Sequence, residues 1–264
     1  DDLGRLRAAV GIERWPVLAG SWGTVLALAY AQRHPARVER LVFRAAFRAS
    51  RRELDGLLRL RRGRDDALRH ACWPTVRALA LPLALRPLAQ VLQAGTAGVA
   101  TRHVARRWDL LEQRSALRGM WRSVLHAAGE ADAQRLRHAW CDAHRHWRRS
   151  LAALPSPRHS RADRPRAQKF AIQCHYLLRR CFLRGGMLDA AVHSLAMHGI
   201  PSDWVHGRFD SVCPEGNSQG WVEKLERMRP GLARLHRPAS GHLSGEPRMR
   251  EMLAQVLRTH RSRD

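Results

Sequence analysis

The chain has 264 residues, enough to bury one sizeable core, so a single domain with an insertion is expected rather than several domains. Its formal net charge is +24, but all but two of the 47 basic residues are arginines, the exceptions being Lys169 and Lys224. They lie in short scattered runs (Arg51-Arg52, Arg61-Arg62, Arg106-Arg107, Arg148-Arg149) with no interleaved aromatic platform, which argues against dedicated nucleic-acid recognition and leaves non-specific polyanion binding.

At the N-terminus a helix is expected, followed by a strand at Trp15–Leu18. The run Ala19-Gly-Ser-Trp-Gly-Thr comes next, then a helical pattern through Ala31 and a second strand at Arg40–Phe43. This is the layout of a βαβ unit with a parallel sheet. It is also the layout of a nucleophile elbow, in which a tight strand-to-helix turn lifts a serine hydroxyl clear of the sheet, here Ser21. Ala19, Gly20 and Gly23 are expected to let strand and helix pass closely on either side of it. Residues of about 48–198 carry Leu, Ala, Trp and Arg at helical spacing, interrupted by Pro74, Pro82, Pro87 and the loop Leu154-Pro-Ser-Pro-Arg-His-Ser-Arg-Ala-Asp-Arg-Pro, and read as an inserted helical cap. Residues 199–264 return to strand, helix, strand and helix. The expected boundaries are thus 1–47 and 199–264 for the two parts of an α/β core with a partial parallel sheet, and 48–198 for the insertion. No stretch has the apolar length of a membrane span, since Leu79 to Leu92 is broken by Pro82, Arg86 and Pro87. Cys72, Cys141, Cys174, Cys181 and Cys213 form no C-x-x-C pair, the usage of reduced thiols in a cytoplasmic protein.

The first strand of the C-terminal part leads through His206-Gly-Arg-Phe to Asp210, and the second leads to Ser240-Gly-His242. The order Ser, Asp, His differs from those of chymotrypsin and subtilisin and is that of α/β-hydrolase triads. A serine hydroxyl is a poor nucleophile until an imidazole removes its proton. His242 is the candidate base, Asp210 the group that fixes its tautomer, and the Trp22 backbone N–H a candidate oxyanion donor.

These residues carry a family resemblance. Ala19-Gly-Ser-Trp-Gly-Thr-Val-Leu-Ala-Leu-Ala-Tyr-Ala-Gln-Arg-His-Pro-Ala-Arg-Val, His206-Gly-Arg-Phe-Asp-Ser-Val-Cys-Pro and Ser240-Gly-His-Leu-Ser-Gly-Glu-Pro resemble the prolyl iminopeptidases (proline aminopeptidases) of the α/β-hydrolase superfamily, as do Cys174-His-Tyr and Cys181-Phe-Leu-Arg in the middle of the chain. The resemblance implies release of N-terminal proline from peptides through an acyl-enzyme, with no cofactor and no metal. It also implies cap residues that hold the substrate, for which the candidates are Gln173, Trp147 and Tyr176.

Two departures qualify that expectation. The chain opens at Asp1 on what resembles the helix before the elbow strand, and no His-Gly-Gly-Pro-Gly-type loop, which supplies part of the oxyanion hole in the family, occurs in it. The elbow strand is then expected to have an unpaired edge. The family resemblance also implies cap glutamates for the substrate ammonium. Gln173 stands where one is expected, and the natural match after Trp147 is Arg148, with Asp142 the one acid nearby. Replacing carboxylates by an amide and a cation removes charge-assisted hydrogen bonds to an ammonium. A truncated or degenerate non-catalytic relative and an esterase of relaxed specificity therefore stay open beside the aminopeptidase.

Other features have plainer readings. His138, His144 and His146 with Cys141 and Asp142 lack the spacing of a metal site and read as a polar helix face. Trp108, Trp121, Trp140 and Trp147 fit a substrate pocket or the core of the insertion equally well. Glu246 reads as an acid at a helix start. Oligomeric state is not legible.

Overall fold

A computed structural model describes residues 2–60, 68, 73, 81–95 and 98–259. Of the residues singled out above, Arg61, Arg62, Cys72, Pro74 and Leu79 lie outside the described residues. The chain divides into two compact units, one of residues 1–48, 119–137 and 184–264, the other of residues 49–118 and 138–183.

In the first unit, α1 (Asp2–Ala9) precedes β1 (Trp15–Gly20), α2 (Gly23–Arg33) and β2 (Val38–Arg44), and α8 (Met187–Met197) leads into β3 (Ser202–Val205), α9 (Gly216–Met228), β4 (Ala233–His236) and α10 (Pro247–Thr259). The four strands form one parallel sheet in the order β1-β2-β3-β4, with Gly20 opposite Arg44, Arg44 opposite Val205, and Val205 opposite His236. Parallel neighbours need crossover connections, which the intervening helices provide. Every residue of β3 is buried, as expected of a strand covered on both faces. β1 stands at one end of the order with Pro16 and Leu18 exposed, and a proline is tolerated there because an end strand does not need every ladder donor.

One sheet face packs Val42 and Val205 on Met249 and Val256 of α10. On another layer the rings of Phe43 and Trp204 lie 4.1 Å apart, and Trp204 and Trp221 5.6 Å apart. Trp204 has no exposed surface, and its indole N–H donates to Ser202 Oγ at 2.9 Å, so the apolar burial leaves no orphaned donor.

The second unit holds α3 (Arg51–Leu58), α4 (Leu81–Gln93), most of α5 (Val99–Leu125) and α6 (Glu130–Ala152), and α7 (Asp163–Leu178). The expected insertion is helical, but residues 119–137 and 184–198 of it belong to the sheet-bearing unit. Ser50 and Glu53 close α3 with a capping box, Ser50 N donating to Glu53 Oε2 at 3.0 Å and Glu53 N to Ser50 Oγ at 3.3 Å. Pro82 and Pro87, expected as breaks, lie inside α4. Pro82 falls in the first turn, where a missing N–H loses nothing, and Pro87 gives up one donor within an otherwise continuous helix. Trp108 is fully buried and stacks on Phe170 at 4.9 Å. Trp140 and Trp147 donate their indole N–H groups to the Leu117 and Leu110 carbonyls of α5, at 3.2 and 2.9 Å. Trp108 is thus part of the core of the insertion, Trp140 and Trp147 are half-buried and tied to α5, and Trp121, on the stretch of α5 assigned to the first unit, is 39% exposed.

Among the described residues, no helix is long and apolar enough to cross a membrane.

Candidate active site

The turn after β1 is strained where an elbow requires it. Ser21 has φ of 52°, a left-handed conformation unfavourable by about 1–3 kcal/mol for a residue with a side chain. Neighbouring hydrogen bonds hold it there: Ser21 N donates to Arg44 O at 2.8 Å, and Thr24 N to Ser21 O at 3.0 Å. A Cβ on Gly20 would stand 2.7 Å from Arg44 Nη2, so a side chain there would displace that guanidinium, whereas one on Gly23 would meet Ala19 Cβ at an ordinary 3.7 Å. The close approach expected at Gly23 is thus absent, and the one at Gly20 is against a guanidinium. Trp22 leads into α2, its ring stacked on Phe47 at 5.1 Å.

Asp210 lies in the loop after β3, its side chain fully buried. Oδ1 accepts the backbone N–H groups of Val212 and Cys213 at 2.8 and 2.9 Å, and Oδ2 accepts from His242 Nδ1 at 2.8 Å. Burial pushes this carboxyl up, but hydrogen bonds from His206 and His242 outweigh it and hold the group below the usual carboxylate range. An ionised carboxylate can only accept, so Nδ1 of His242 carries the proton and Nε2 is the nitrogen left to act as base.

Ser21 Oγ meets Cys213 Sγ at 4.0 Å, on the loop that carries Asp210. Asp210 and His242 are thus in contact with each other, while Ser21 reaches the Asp210 loop through a thiol and shares no hydrogen bond with the imidazole.

Close backbone packing brings the two loops together. A Cβ on Gly207 would stand 2.5 Å from the Ser240 carbonyl oxygen, and one on Gly119 would stand 2.5 Å from the Phe209 carbonyl oxygen and 3.1 Å from Gly241 Cα. Gly119 belongs to α5, far from either loop in sequence, and nothing in its local pattern announces this.

Two further residues escaped sequence reasoning. Arg44, at the end of β2, donates from Nη1 to the His242 carbonyl. Burial lowers its pKa, opposed by the charges of Asp210, Cys213 and Glu246. Glu246 stands just ahead of α10, but its carboxylate turns back from the helix: Oε2 accepts from Gly241 N at 2.6 Å and Oε1 from Leu243 N at 2.9 Å, one on each side of His242. Burial pushes its pKa up to about 7 against these two hydrogen bonds. Reading it as a helix-start acid gave the position and missed the contact.

The remaining candidates are in the helical unit. Gln173 donates from Nε2 to Glu112 Oε1 at 2.7 Å, and Lys169 donates to Glu112 Oε2 at 2.8 Å. A carboxylate absent from the sequence near Gln173 is therefore supplied by α5. Trp147 is half-buried beside His144 at 5.9 Å, Tyr176 lies edge-on to Phe182 at 5.3 Å, and Arg148 is exposed. Among the described residues, no group of His, Cys, Asp or Glu could hold a metal ion, so His138, Cys141, Asp142, His144 and His146 form no such cluster.

The model of the alpha/beta hydrolase fold matches residues 1–247. The chain is similar to the proline iminopeptidase of Xylella fastidiosa, 29% identical over 252 residues that cover 93% of this chain and 67% of the relative. It is similar to that of Xanthomonas citri, 29% identical over 261 residues with the same coverage. The chain thus spans about two thirds of the length of these curated relatives. A crystallised esterase shares the fold with a TM-score of 0.52 at 18% identity, covering 98% of this chain and 64% of that one.

Proposed function

Because the chain belongs to the alpha/beta hydrolase fold family, we propose that it is a serine hydrolase of the proline iminopeptidase type, releasing N-terminal proline from peptides through an acyl-enzyme. The observation that carries the reading is the 2.8 Å contact of His242 Nδ1 with the buried Asp210 carboxylate, which leaves Nε2 as a base.

In this reading the Ser21 hydroxyl turns from Cys213 toward His242 when substrate enters, since catalytic hydrogen bonds often tighten only in the complex. Nε2 takes the serine proton as Oγ attacks the proline carbonyl, and Asp210 stabilises the imidazolium. The oxyanion forms beside the first turn of α2, where the Trp22 backbone N–H is the donor. His242 then gives its proton to the leaving amine, and water hydrolyses the acyl-enzyme by the reverse sequence. Residues 1–47 and 199–264 supply this chemistry. Gln173, Trp147 and Tyr176 are the residues the family resemblance implies for substrate binding, and Glu112 is the carboxylate beside Gln173. No cofactor takes part.

A second reading, a non-catalytic relative, is favoured by one observation: Ser21 makes its side-chain contact with Cys213 and not with the imidazole. A relaxed esterase lies between the two, favoured by an amide at Gln173. Turnover of proline-naphthylamide and of a p-nitrophenyl ester by wild type and Ser21→Ala separates all three. Proline-naphthylamide cleavage that vanishes in S21A supports the first reading, ester cleavage alone the esterase, and no S21-dependent turnover the non-catalytic relative.

A further inference from the structure

His206 is fully buried, and the mechanism just described makes no use of it. Its ring stands between α9 and the Asp210 loop. Nδ1 lies 2.7 Å from Ser218 Oγ, while Nε2 lies 3.1 Å from the Cys213 carbonyl oxygen and 3.5 Å from Asp210 Oδ2. Both groups facing Nε2 are acceptors only, so Nε2 carries the proton in the neutral ring. Nδ1 is then an acceptor, and the Ser218 hydroxyl, itself 1% exposed, must donate to it. The tautomer is therefore set from α9, and one N–H is presented to the turn that holds Asp210.

That turn is held by the carboxylate through Oδ1 and the N–H groups of Val212 and Cys213, by Asp210 N donating to the Gly207 carbonyl at 3.0 Å, and by the Ser211 hydroxyl donating to the Phe209 carbonyl at 3.3 Å. His206 closes it from the other side by holding the Cys213 carbonyl, and it places a second imidazole on the oxygen that His242 uses. We propose that His206 is a positioning residue for the Asp210–His242 pair: a relay Ser218–His206–Asp210–His242 fixes the carboxylate and lowers the basicity of His242. The direction follows from charge. A donor beside Oδ2 partly satisfies the carboxylate, which then stabilises the His242 imidazolium less. Without that donor, the imidazolium becomes the main partner of the buried charge and His242 binds its proton more tightly.

The inference deepens the hydrolase reading and rests on its assignment of Asp210 and His242, but its test needs no turnover. The His242 ring is titrated by NMR in the full chain labelled with 15N-histidine, its signal identified by its absence from His242→Asn. The other titratable groups near the pair, Arg44 at the end of β2, Cys213 in the loop and Glu246 ahead of α10, are the same in every variant compared. His206→Phe keeps a ring and removes the donor. The His242 midpoint is expected to rise by up to about 0.5 pH unit, the scale of losing an N–H dipole 3.5 Å from a buried charge rather than a full hydrogen bond to it. His206→Gln, whose amide N–H2 reaches the place of Nε2, should return the midpoint to the wild-type value. Ser218→Ala should shift it the same way as His206→Phe, by less.

An unchanged midpoint in both His206→Phe and Ser218→Ala, with melting temperatures showing folded protein, overturns the proposal. If His206→Phe does not fold, Ser218→Ala decides alone: a rise supports the relay and no change overturns it. Failure of the hydrolase reading itself would show separately, as wild-type protein without Ser21-dependent turnover.

Discussion

In the helical unit, Arg106 places donors on both oxygens of Asp163, at 2.9 and 2.6 Å, and on the carbonyls of Ser156 and Arg158, at 2.9 and 2.8 Å. Asp163 is held down to about 2, Arg106 first among the causes, and Cys174 and Cys181 are pushed up to about 12 and 11, chiefly by burial. Around Ser21 the pattern is reversed. Arg44 is half-buried with no ion-pair partner among the described residues, Glu246 is raised to about 7, and Asp210 is lowered, each acting on the next. Paired groups close a fold, whereas groups shifted in opposite directions around one strained serine mark chemistry. Asp163 in the helical unit is answered by the guanidinium that faces it. The groups near Ser21 answer to one another.

Changes on either side of this contrast should behave differently. The largest effect is expected from Asp210→Asn, which keeps the shape but reverses the tautomer preference of His242. Turnover by the hydrolase should fall by about 10⁴, near 5 kcal/mol of transition-state stabilisation, with little change in melting temperature. Next comes Asp163→Asn in the helical unit, which leaves the Arg106 charge buried without its partner. Urea unfolding should show a loss of about 2–3 kcal/mol. Because the Asp163 pKa is lowered from its ordinary value of 3.8 to about 2, the stability of this pair is present above 3.8 and is lost as pH falls toward 2. Acid titration of wild type and D163N should therefore converge at the low end.

Glu246 has the opposite sign. A carboxyl raised from 4.5 to about 7 is penalised when ionised, so wild-type stability should decline between pH 4.5 and 7 and level off above. Glu246→Gln, which cannot ionise, should lack that decline, so that the stability difference between variant and wild type changes by about 3 kcal/mol between pH 4.5 and 8. Equal slopes for the two proteins would show that the carboxylate does not resist ionisation. The smallest effect belongs to Cys213→Ala. A thiol 4.0 Å from a hydroxyl is a weak partner, and turnover should change by less than about tenfold. A larger fall would show that the thiol holds Ser21 in its reactive position.

What could be read from the chain beforehand follows how local its causes are. The elbow was legible because a strained turn between strand and helix needs small residues at fixed offsets, and Ala19, Gly20 and Ser21 stand there. Asp210 and His242 were legible from their order and from the strands before them. Arg44 was not, since an arginine closing an apolar strand looks like any of the many others in this chain, and its meaning comes from Gly20 and the His242 carbonyl. Gly119 was invisible for the same reason, as its neighbours Phe209 and Gly241 are distant in sequence. Pro87 misled because the rule against proline in helices describes a free-energy penalty that tertiary packing can outweigh. Glu112 was missed as the acid beside Gln173 because it comes from another helix, 61 residues earlier.

The account turns on whether the Ser21 oxygen can be made nucleophilic by His242. Fluorophosphonate labelling of the folded full chain, read by intact mass and peptide mapping, tests this directly, because Oγ displaces fluoride only if a base takes its proton. One adduct per chain, on Ser21, lost in Ser21→Ala and in His242→Asn, is the predicted result. Folded wild-type protein without an adduct, or an adduct that persists in His242→Asn, would contradict it.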